Sequence, residues 1–365
     1  MPSVIRVALD ASALPPSPAG AGVYMRELAA ALAARPGLDV LAFAPRPLPG
    51  CRHLPVPGGS PARRFGWQLR TLGQATVAAR ASLLHGLHFY TPRRLPVPRV
   101  ATIHDLTFFR IPRRYSPARR WYYRAIAHTA RFAERVIVPS SAVAADAVRY
   151  LSLPAERIRV IPEAHRAGLR AAEPARVAAF RASHGLDAPY LLCLGTAEPG
   201  KRAVDAVRAL PRIRARRPGV LLALAGNPGP LLGPLRREAA RLGVADAVRF
   251  LGYVPDADLP ALLTGAEALV FPSLFEGFGL PPLEAMACGT PVIAADAPAM
   301  SEVLDGAARL VPLRSPETIA AEALRLLEDP AWRAELAHRS LQHAAGFSWA
   351  RTAELTEAVY RELVP

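Results

Sequence analysis

The feature that most limits what this chain can become is a rhythm that it runs through twice. Short apolar runs alternate with longer Ala/Leu/Arg segments whose apolar positions recur at helical spacing. The first series runs "VIRVALD" (4–10), helical "VYMRELAAALAARP" (23–36), "DVLAFAP" (39–45), "SLLHG" (82–86), "RVATIHD" (99–105), helical "RRWYYRAIAHTARFAE" (119–134), "RVIVPS" (135–140), helical "SAVAADAVRYL" (141–151) and "IRVIP" (158–162). It restarts at "YLLCLG" (190–195) and continues through "VLLALAG" (220–226), "VRFLG" (248–252), "ALVFPS" (268–273), "PVIAAD" (291–296) and "ARLVP" (308–312), with helical segments between. Strands that are apolar throughout are buried on both faces, as in parallel sheets covered by helices. The expected class is therefore α/β, with two doubly wound, Rossmann-like parallel-sheet domains. Ligands of such sheets bind at the carboxyl ends of the strands and, with two domains, in the cleft across which they face. The expected boundaries are 1–165 for the first domain, 166–188 for a linker and 189–346 for the second. Residues 347–365 follow as a closing helix.

Composition narrows the class. Half of the residues are hydrophobic and 21% are charged, which fits a globular chain. No apolar run reaches the ~18 residues of a membrane span. The chain enters a strand pattern at once, without the look of a signal peptide. Three cysteines (Cys51, Cys193, Cys288) match no metal-ligand spacing, and the expected setting is a reducing cytoplasm. The net charge of +15 lies wholly in residues 1–165, which hold 23 arginines against 8 acidic residues; the remainder is balanced. Such a one-sided field suits an anionic partner. The stretch "FFRIPRRYSPARRWYYR" (108–124) mixes Arg110, Arg113, Arg114, Arg119, Arg120 and Arg124 with aromatic residues. Aromatic residues among arginines can settle at a lipid headgroup interface or stack on nucleic acid, and a solvated arginine-rich face is the plain alternative.

The densest chemistry lies in "FPSLFEGFGLPPLEAMACGTPVIAAD" (271–296). A strand ends near Ser273, Glu276 precedes Gly277-Phe278-Gly279, and a helix is expected to start near Pro281 and Pro282. Glycines let a ligand approach the backbone, and N–H groups ahead of a helix can hold hydroxyl or phosphate oxygens. Glu276 and Glu284 could each accept hydrogen bonds from vicinal hydroxyls of a sugar or ribose. Two weaker patterns carry less. Asp256-Ala257-Asp258 has the D-x-D form of a metal–nucleotide site but stands before an apolar helix, where capping is the expected role. Gly20-Ala21-Gly22 lacks the third glycine of a dinucleotide fingerprint, Met25 standing there instead.

The stretch "EGFGLPPLEAMACGTPVI" resembles the E-x7-E signature of retaining glycosyltransferases of family 4 (group 1), which have the GT-B fold. The resemblance extends over nearly the whole chain, in order, from "VALDASALPPSPAGAGVYMRELAAAL" through "VATIHDLTFF", "RVIVPSSAVAADAV", "IRVIPEA" and "YLLCLGTAEPGKR" to "FSWARTAELTEAVYREL". It implies a closing helix that crosses back onto the first, acceptor-binding domain, and a second domain that binds a nucleotide sugar. Carried over position by position, it puts Glu276 on hydroxyls of the donor sugar, helped by backbone N–H groups of Gly277, Phe278, Gly279 and Leu280. Glu284 would hold the ribose, and His104 of "TIHD" would reach the transferred sugar, with Asp105 structural. Gly20 and Gly22 would bring backbone close to the diphosphate or acceptor. Lys201, the one lysine among 45 basic residues, takes the diphosphate position. A subgroup rich in mannosyltransferases reads "GTxEPRKN" where this chain has "GTAEPGKR". Thr196 and Gly200 thus replace arginines, and Arg202 is the expected second cation. The resemblance implies front-face transfer of a hexose, with no metal or other cofactor required. GDP-mannose is the first donor expected and a UDP-sugar the next, with a glycan or lipid-linked acceptor in cell-surface polysaccharide or glycolipid synthesis. No nucleic acid is expected. The protein would be cytoplasmic, or peripheral at the inner face of the membrane. A nucleotide-sugar epimerase or hydrolase of the same fold, or a non-catalytic sugar-nucleotide-binding subunit, are the alternatives.

Overall fold

The computed structural model describes residues 4–58, 60–112 and 115–364. The chain divides into two compact units, Met1–Ala167 with Ser348–Pro365, and Gly168–Phe347.

The first unit is built on β1 (Ile5–Asp10), β2 (Leu38–Ala44), β3 (Arg52–Pro55), β4 (Leu83–Gly86), β5 (Arg99–Thr102), β6 (Arg135–Val138) and β7 (Ile158–Val160). They form one parallel sheet in the order β3-β2-β1-β4-β5-β6-β7. The second unit repeats the plan with β8 (Tyr190–Leu194), β9 (Leu221–Ala225), β10 (Val248–Gly252), β11 (Ala268–Phe271), β12 (Val292–Ala295) and β13 (Arg309–Val311). Its order is β10-β9-β8-β11-β12-β13, again all parallel. Every residue of β4, β11 and β12 is buried. This is why these strands lack alternation and why the apolar run, rather than a period of two, marks them. In both sheets the order reverses beside the first strand, between β1 and β4 and between β8 and β11. Loops leaving the carboxyl ends of those strands diverge, which opens a crevice there.

Three local differences from the sequence expectation have physical causes. β3 is short and only partly buried, and it has no apolar run to announce it. Residues 61–78 are helical with a π-helical turn, Gln68–Leu72, and bury few side chains, so their period is faint. Within the segment expected as a linker, Pro174–Ser183 forms a helix that belongs to the second unit; it buries Phe180 alone.

The last helix, Trp349–Arg361, belongs to the first unit and packs against the helix Ala21–Ala33. Trp349, Ala353, Thr356 and Tyr360 form its buried stripe. Glu357 pairs with Arg35 and Arg361, while Glu362 pairs with Arg135 and Arg159. Inside the unit the Tyr360 hydroxyl lies 2.6 Å from His85 Nδ1, and His85 Nε2 lies 2.8 Å from Thr102 Oγ1. Thr102 Oγ1 is in turn 3.0 Å from the Tyr24 hydroxyl. The chain of bonds satisfies four buried polar side chains at once, as burial requires. Among the described residues no helix is long and apolar enough to cross a membrane.

Candidate functional site

In the second unit the crevice between β8 and β11 gathers most of the residues that the sequence singled out. β8 ends at Leu194, and the chain passes Gly195 and Thr196 into a single 3-10 turn, Pro199–Lys201. Arg202 then takes a left-handed conformation and opens the helix Ala203–Arg216. The Gly200 carbonyl accepts from the Leu274 N–H at 2.9 Å and from Ser273 Oγ at 3.3 Å, which ties this turn to the loop after β11. Two loops 75 residues apart are thereby held together, and Lys201 Nζ donates to Glu276 Oε1 at 2.6 Å. Both side chains are largely covered, at 24% and 14% exposure, so the pair is more than a surface contact. The ammonium also lies 5.5 Å from the centre of the Phe271 ring.

Beyond Glu276, Gly279 has φ +103° and precedes the helix Leu280–Ala287, whose first turn holds Pro281 and Pro282. A Cβ on Gly279 would fall 2.5 Å from the flexible end of Met300, which can shift, so it is the φ of +103° that calls for glycine. The Phe278 side chain is buried edge-on against Phe347, leaving the backbone of this segment as the part that can face a ligand. Glu284 is one turn inside the helix and buried. Arg202, the expected second cation, is itself paired. Its guanidinium is held by both carboxylate oxygens of the buried Asp205, with Nε 2.8 Å from Oδ2, because Asp205 lies one turn along the same helix.

Two glycines that the sequence reading passed over set the shape of this crevice. Gly226, after β9, has φ +133°, and a Cβ there would fall 2.3 Å from the Gly195 carbonyl oxygen. A Cβ on Gly229 would fall 2.2 Å from the Ala197 carbonyl oxygen. Glycine directly after a buried strand, in "LAGNPG", was the signal available. Beside them Cys193, Gly195, Asn227, Arg236 and Phe250 line a cavity of about 130 Å³. The cysteine itself is buried and its thiol is pushed up to about 12 by burial and then by the charge of Asp205, so it is a core residue.

In the first unit Gly20 has φ +51° at the start of the helix Ala21–Ala33, and Gly22 abuts Pro15, whose Cδ a Cβ would meet at 2.9 Å. His104 lies after β5 in a mostly buried position, with Nδ1 3.2 Å from Glu163 Oε1 and Nε2 2.9 Å from the Leu87 carbonyl oxygen. Burial alone disfavours the imidazolium. The Glu163 hydrogen bond and charge, the Leu87 carbonyl and the charge of Asp105 outweigh it, and His104 titrates above the ordinary histidine value. Asp105 Oδ1 accepts from the Thr107 N–H at 2.8 Å, a local turn. Leu87 belongs to a tight turn in which Phe89 adopts φ +62°, a costly conformation for an aromatic residue. Gly86 is needed there because a Cβ would fall 2.2 Å from the Tyr90 carbonyl oxygen.

The capping role expected of the D-x-D pattern is not seen as a side-chain bond. Asp258 stands at the N-cap position of Leu259–Thr264 but makes no side-chain cap bond; its carboxylate lies 3.8 Å from Arg176. Most of the aromatic residues of the basic–aromatic stretch lean on a core: Phe108 is buried, and the partly buried Phe109, Tyr115, Tyr122 and Tyr123 pack on the same cluster. Arg110 grips Asp146 through two bonds of 2.6 Å, and Arg124 covers the Phe109 ring. Arg113 and Arg114 lie outside the described residues.

Comparison with known proteins agrees with this arrangement. Residues 18–164 match the family described as Glycosyltransferase Family 4, and residues 177–344 match Glycosyl transferases group 1. The O-antigen chain mannosyltransferase B of Escherichia coli is 32% identical over 82% of this chain and 78% of its own length. The MMP alpha-(1->4)-mannosyltransferase of Mycolicibacterium hassiacum is 33% identical over 67% of this chain, and the match spans 59% of that relative. Among solved structures, the Anabaena protein HepE in complex with UDP and glucose superposes with a TM-score of 0.78 at 20% identity, over 98% of this chain and 100% of that one. WaaG, a glycosyltransferase involved in lipopolysaccharide biosynthesis, gives 0.76 at 19% identity, over 97% and 99%. These likenesses support the GT-B fold of two parallel-sheet α/β domains. With the family matches and the E. coli relative, they establish that this chain belongs to the family 4, group 1 glycosyltransferases.

Proposed function

We propose that the protein is a retaining hexosyltransferase that moves mannose from a nucleotide-diphosphate sugar to a hydroxyl of a glycan or lipid-linked acceptor. The observation that carries the reading is the meeting of Lys201 with Glu276 at the carboxyl ends of β8 and β11, ahead of the helix at Leu280. In this reading donor binding separates the pair. Lys201 moves to the diphosphate, and Glu276 accepts hydrogen bonds from the sugar hydroxyls beside the N–H groups of Gly277, Phe278, Gly279 and Leu280. Glu284 holds the ribose, Thr196 and the backbone at Gly20 and Gly22 flank the donor, and His104 serves the transferred sugar. Arg202, held by Asp205, contributes fixed positive charge at the turn. The bond from C1 to the diphosphate oxygen breaks as the acceptor oxygen bonds to C1 on the same face, and the acceptor proton passes to the departing diphosphate. Charge grows on that leaving group, where a preorganised cation contributes most. No metal is assigned a part.

GDP-mannose is the donor favoured, because two relatives carry mannosyltransferase names, with a UDP-sugar next, since HepE was solved with UDP. Thermal unfolding with GDP, UDP, ADP or TDP tests this. GDP at about 100 times its dissociation constant should raise the midpoint by roughly 5–10 °C. A response to none of the four sinks the donor assignment. Radiolabelled GDP-mannose with and without acceptor then separates transfer from epimerisation, hydrolysis or mere binding.

We also propose that the first unit rests on an anionic lipid surface, at the inner face of the membrane. Residues 40–133 hold 16 arginines and one acidic residue, Asp105. Trp121 and Leu69 are exposed at 70% and 59%. Their helical segments adjoin through the Arg64–Tyr122 hydrogen bond and the Phe65–Tyr122 ring contact. An exposed indole among arginines suits a headgroup interface. Vesicles containing phosphatidylglycerol should sediment the protein while neutral vesicles do not, and Trp121→Ala with Leu69→Ser should weaken this several-fold. Equal binding by the double variant would rule the surface out.

A further inference from the structure

We propose that Glu163 is a positioning residue: with the Leu87 carbonyl it holds His104 in the doubly protonated, donor-only form, and the closing helix holds Glu163 in place. The inference rests on the reading that His104 serves the transferred sugar.

A neutral imidazole has one donor and one acceptor nitrogen. Here both nitrogens face acceptors, Glu163 Oε1 at 3.2 Å and the Leu87 carbonyl at 2.9 Å. The neutral ring would set a lone pair against one of those oxygens, whereas the imidazolium satisfies both. Glu163 is itself only 4% exposed, and a buried carboxylate needs a charged or donating partner. The backbone around Glu163 is fixed on both sides. The Ile161 N–H donates to the Val138 carbonyl at 2.9 Å. From the closing helix, Thr352 Oγ1 donates to the Pro162 carbonyl and Trp349 Nε1 to the His165 carbonyl, each at 2.8 Å. The same helix braces the imidazole through Tyr24, whose ring stands edge-on to His104 at 4.7 Å and to Trp349 at 5.9 Å. A C-terminal segment about 190 residues away in sequence thus sets the carboxylate that sets the histidine.

The other groups around His104 do not take over this part. His85 and His88 are pushed down to about 3 by burial and then by the charge of His104, and stay neutral. The Tyr24 phenol is pushed up by burial and its hydroxyl is spent on Thr102. Asp105 adds negative charge but directs its Oδ1 to the Thr107 N–H. A donor-only His104 cannot remove a proton from the acceptor. Its two N–H groups are held by Glu163 and the Leu87 carbonyl, so it serves a sugar oxygen as a fixed positive charge or by sharing its Nε2–H, and the departing diphosphate is left as the proton's destination.

The test is an NMR titration of isotopically labelled histidine in the full chain, with His104 assigned by His104→Gln. In Glu163→Gln the proton affinity of His104 should fall at least tenfold. Because the raised value keeps the donor form present until pH climbs through it, the basic limb of kcat/KM should move to lower pH in the variant. Glu163→Asp should restore part of both changes. An unchanged His104 titration in a folded Glu163→Gln protein overturns the proposal. Should that variant not fold, Thr352→Val removes one anchor and keeps the carboxylate; a smaller shift in the same direction is expected, and none overturns the proposal. A shifted titration with an unmoved kcat/KM profile supports the pairing and overturns the part given to His104 in catalysis.

Discussion

Lys201→Ala is expected to lower kcat at least ~100-fold, with the unfolding midpoint held close to that of the parent protein. The size follows from the chemistry: a positioned donor on developing negative charge acts mainly in the transition state. Lys201→Arg is expected to lose at least ~10-fold, although it keeps the charge. The lysine stem runs past Gly195, and its ammonium makes one short bond to Glu276. A compact ammonium can leave that carboxylate for a diphosphate; a planar guanidinium would pair with Glu276 through two bonds and leave less readily. Lys201→Ala also strips Glu276 of its partner, so its loss and that of Glu276→Gln should not add in the variant that carries both. Full activity in Lys201→Arg would refute this account of the lysine. Additive losses would refute the coupling.

Gly226→Ala is expected to destabilise the second unit strongly. It places an L side chain at φ +133° and drives its Cβ to 2.3 Å from the Gly195 carbonyl oxygen. Neither partner is a flexible side-chain tip, so β8 and β9 must separate at their carboxyl ends. Strain and overpacking together should cost roughly 2–5 kcal/mol. Chemical denaturation should show the loss, and nucleotide binding should fall with it, since Gly195 leads directly into the Lys201 turn. A variant as stable as the parent, with unchanged nucleotide affinity, would show that the close approach does not matter.

Much of the fold was legible because its carriers are local. Continuous apolar runs such as "ALVF" and "VIAA" are what a strand buried on both faces must have, whichever neighbours it acquires. The helix 141–151 was read to the residue, since Ser140 caps it and its apolar face is regular. The faint elements, β3 and the helical stretch after it, bury too little to leave a period. The E-x7-E stretch and the lone lysine were visible as residue types at set spacings. Their partners were not. Arg202 was legible as a second cation, but not the Asp205 carboxylate that holds it. The aromatic residues among the arginines of 108–124 read alike in the sequence, yet Phe108 is buried, four others lean on its cluster and Trp121 stays outside.

The sequence by itself determined the class of fold, the order of its elements and the set of residues able to do the chemistry, because apolar period and residue type are local properties. Only the tertiary structure decided the pairings. Lys201 meets Glu276 because β8 and β11 become neighbours where the sheet order reverses. Glu163 meets His104 because the last helix returns to the first unit and fixes the chain on either side of the carboxylate. Strand order and the return of a distant helix depend on the packing of the whole unit, so no short stretch of the chain records them.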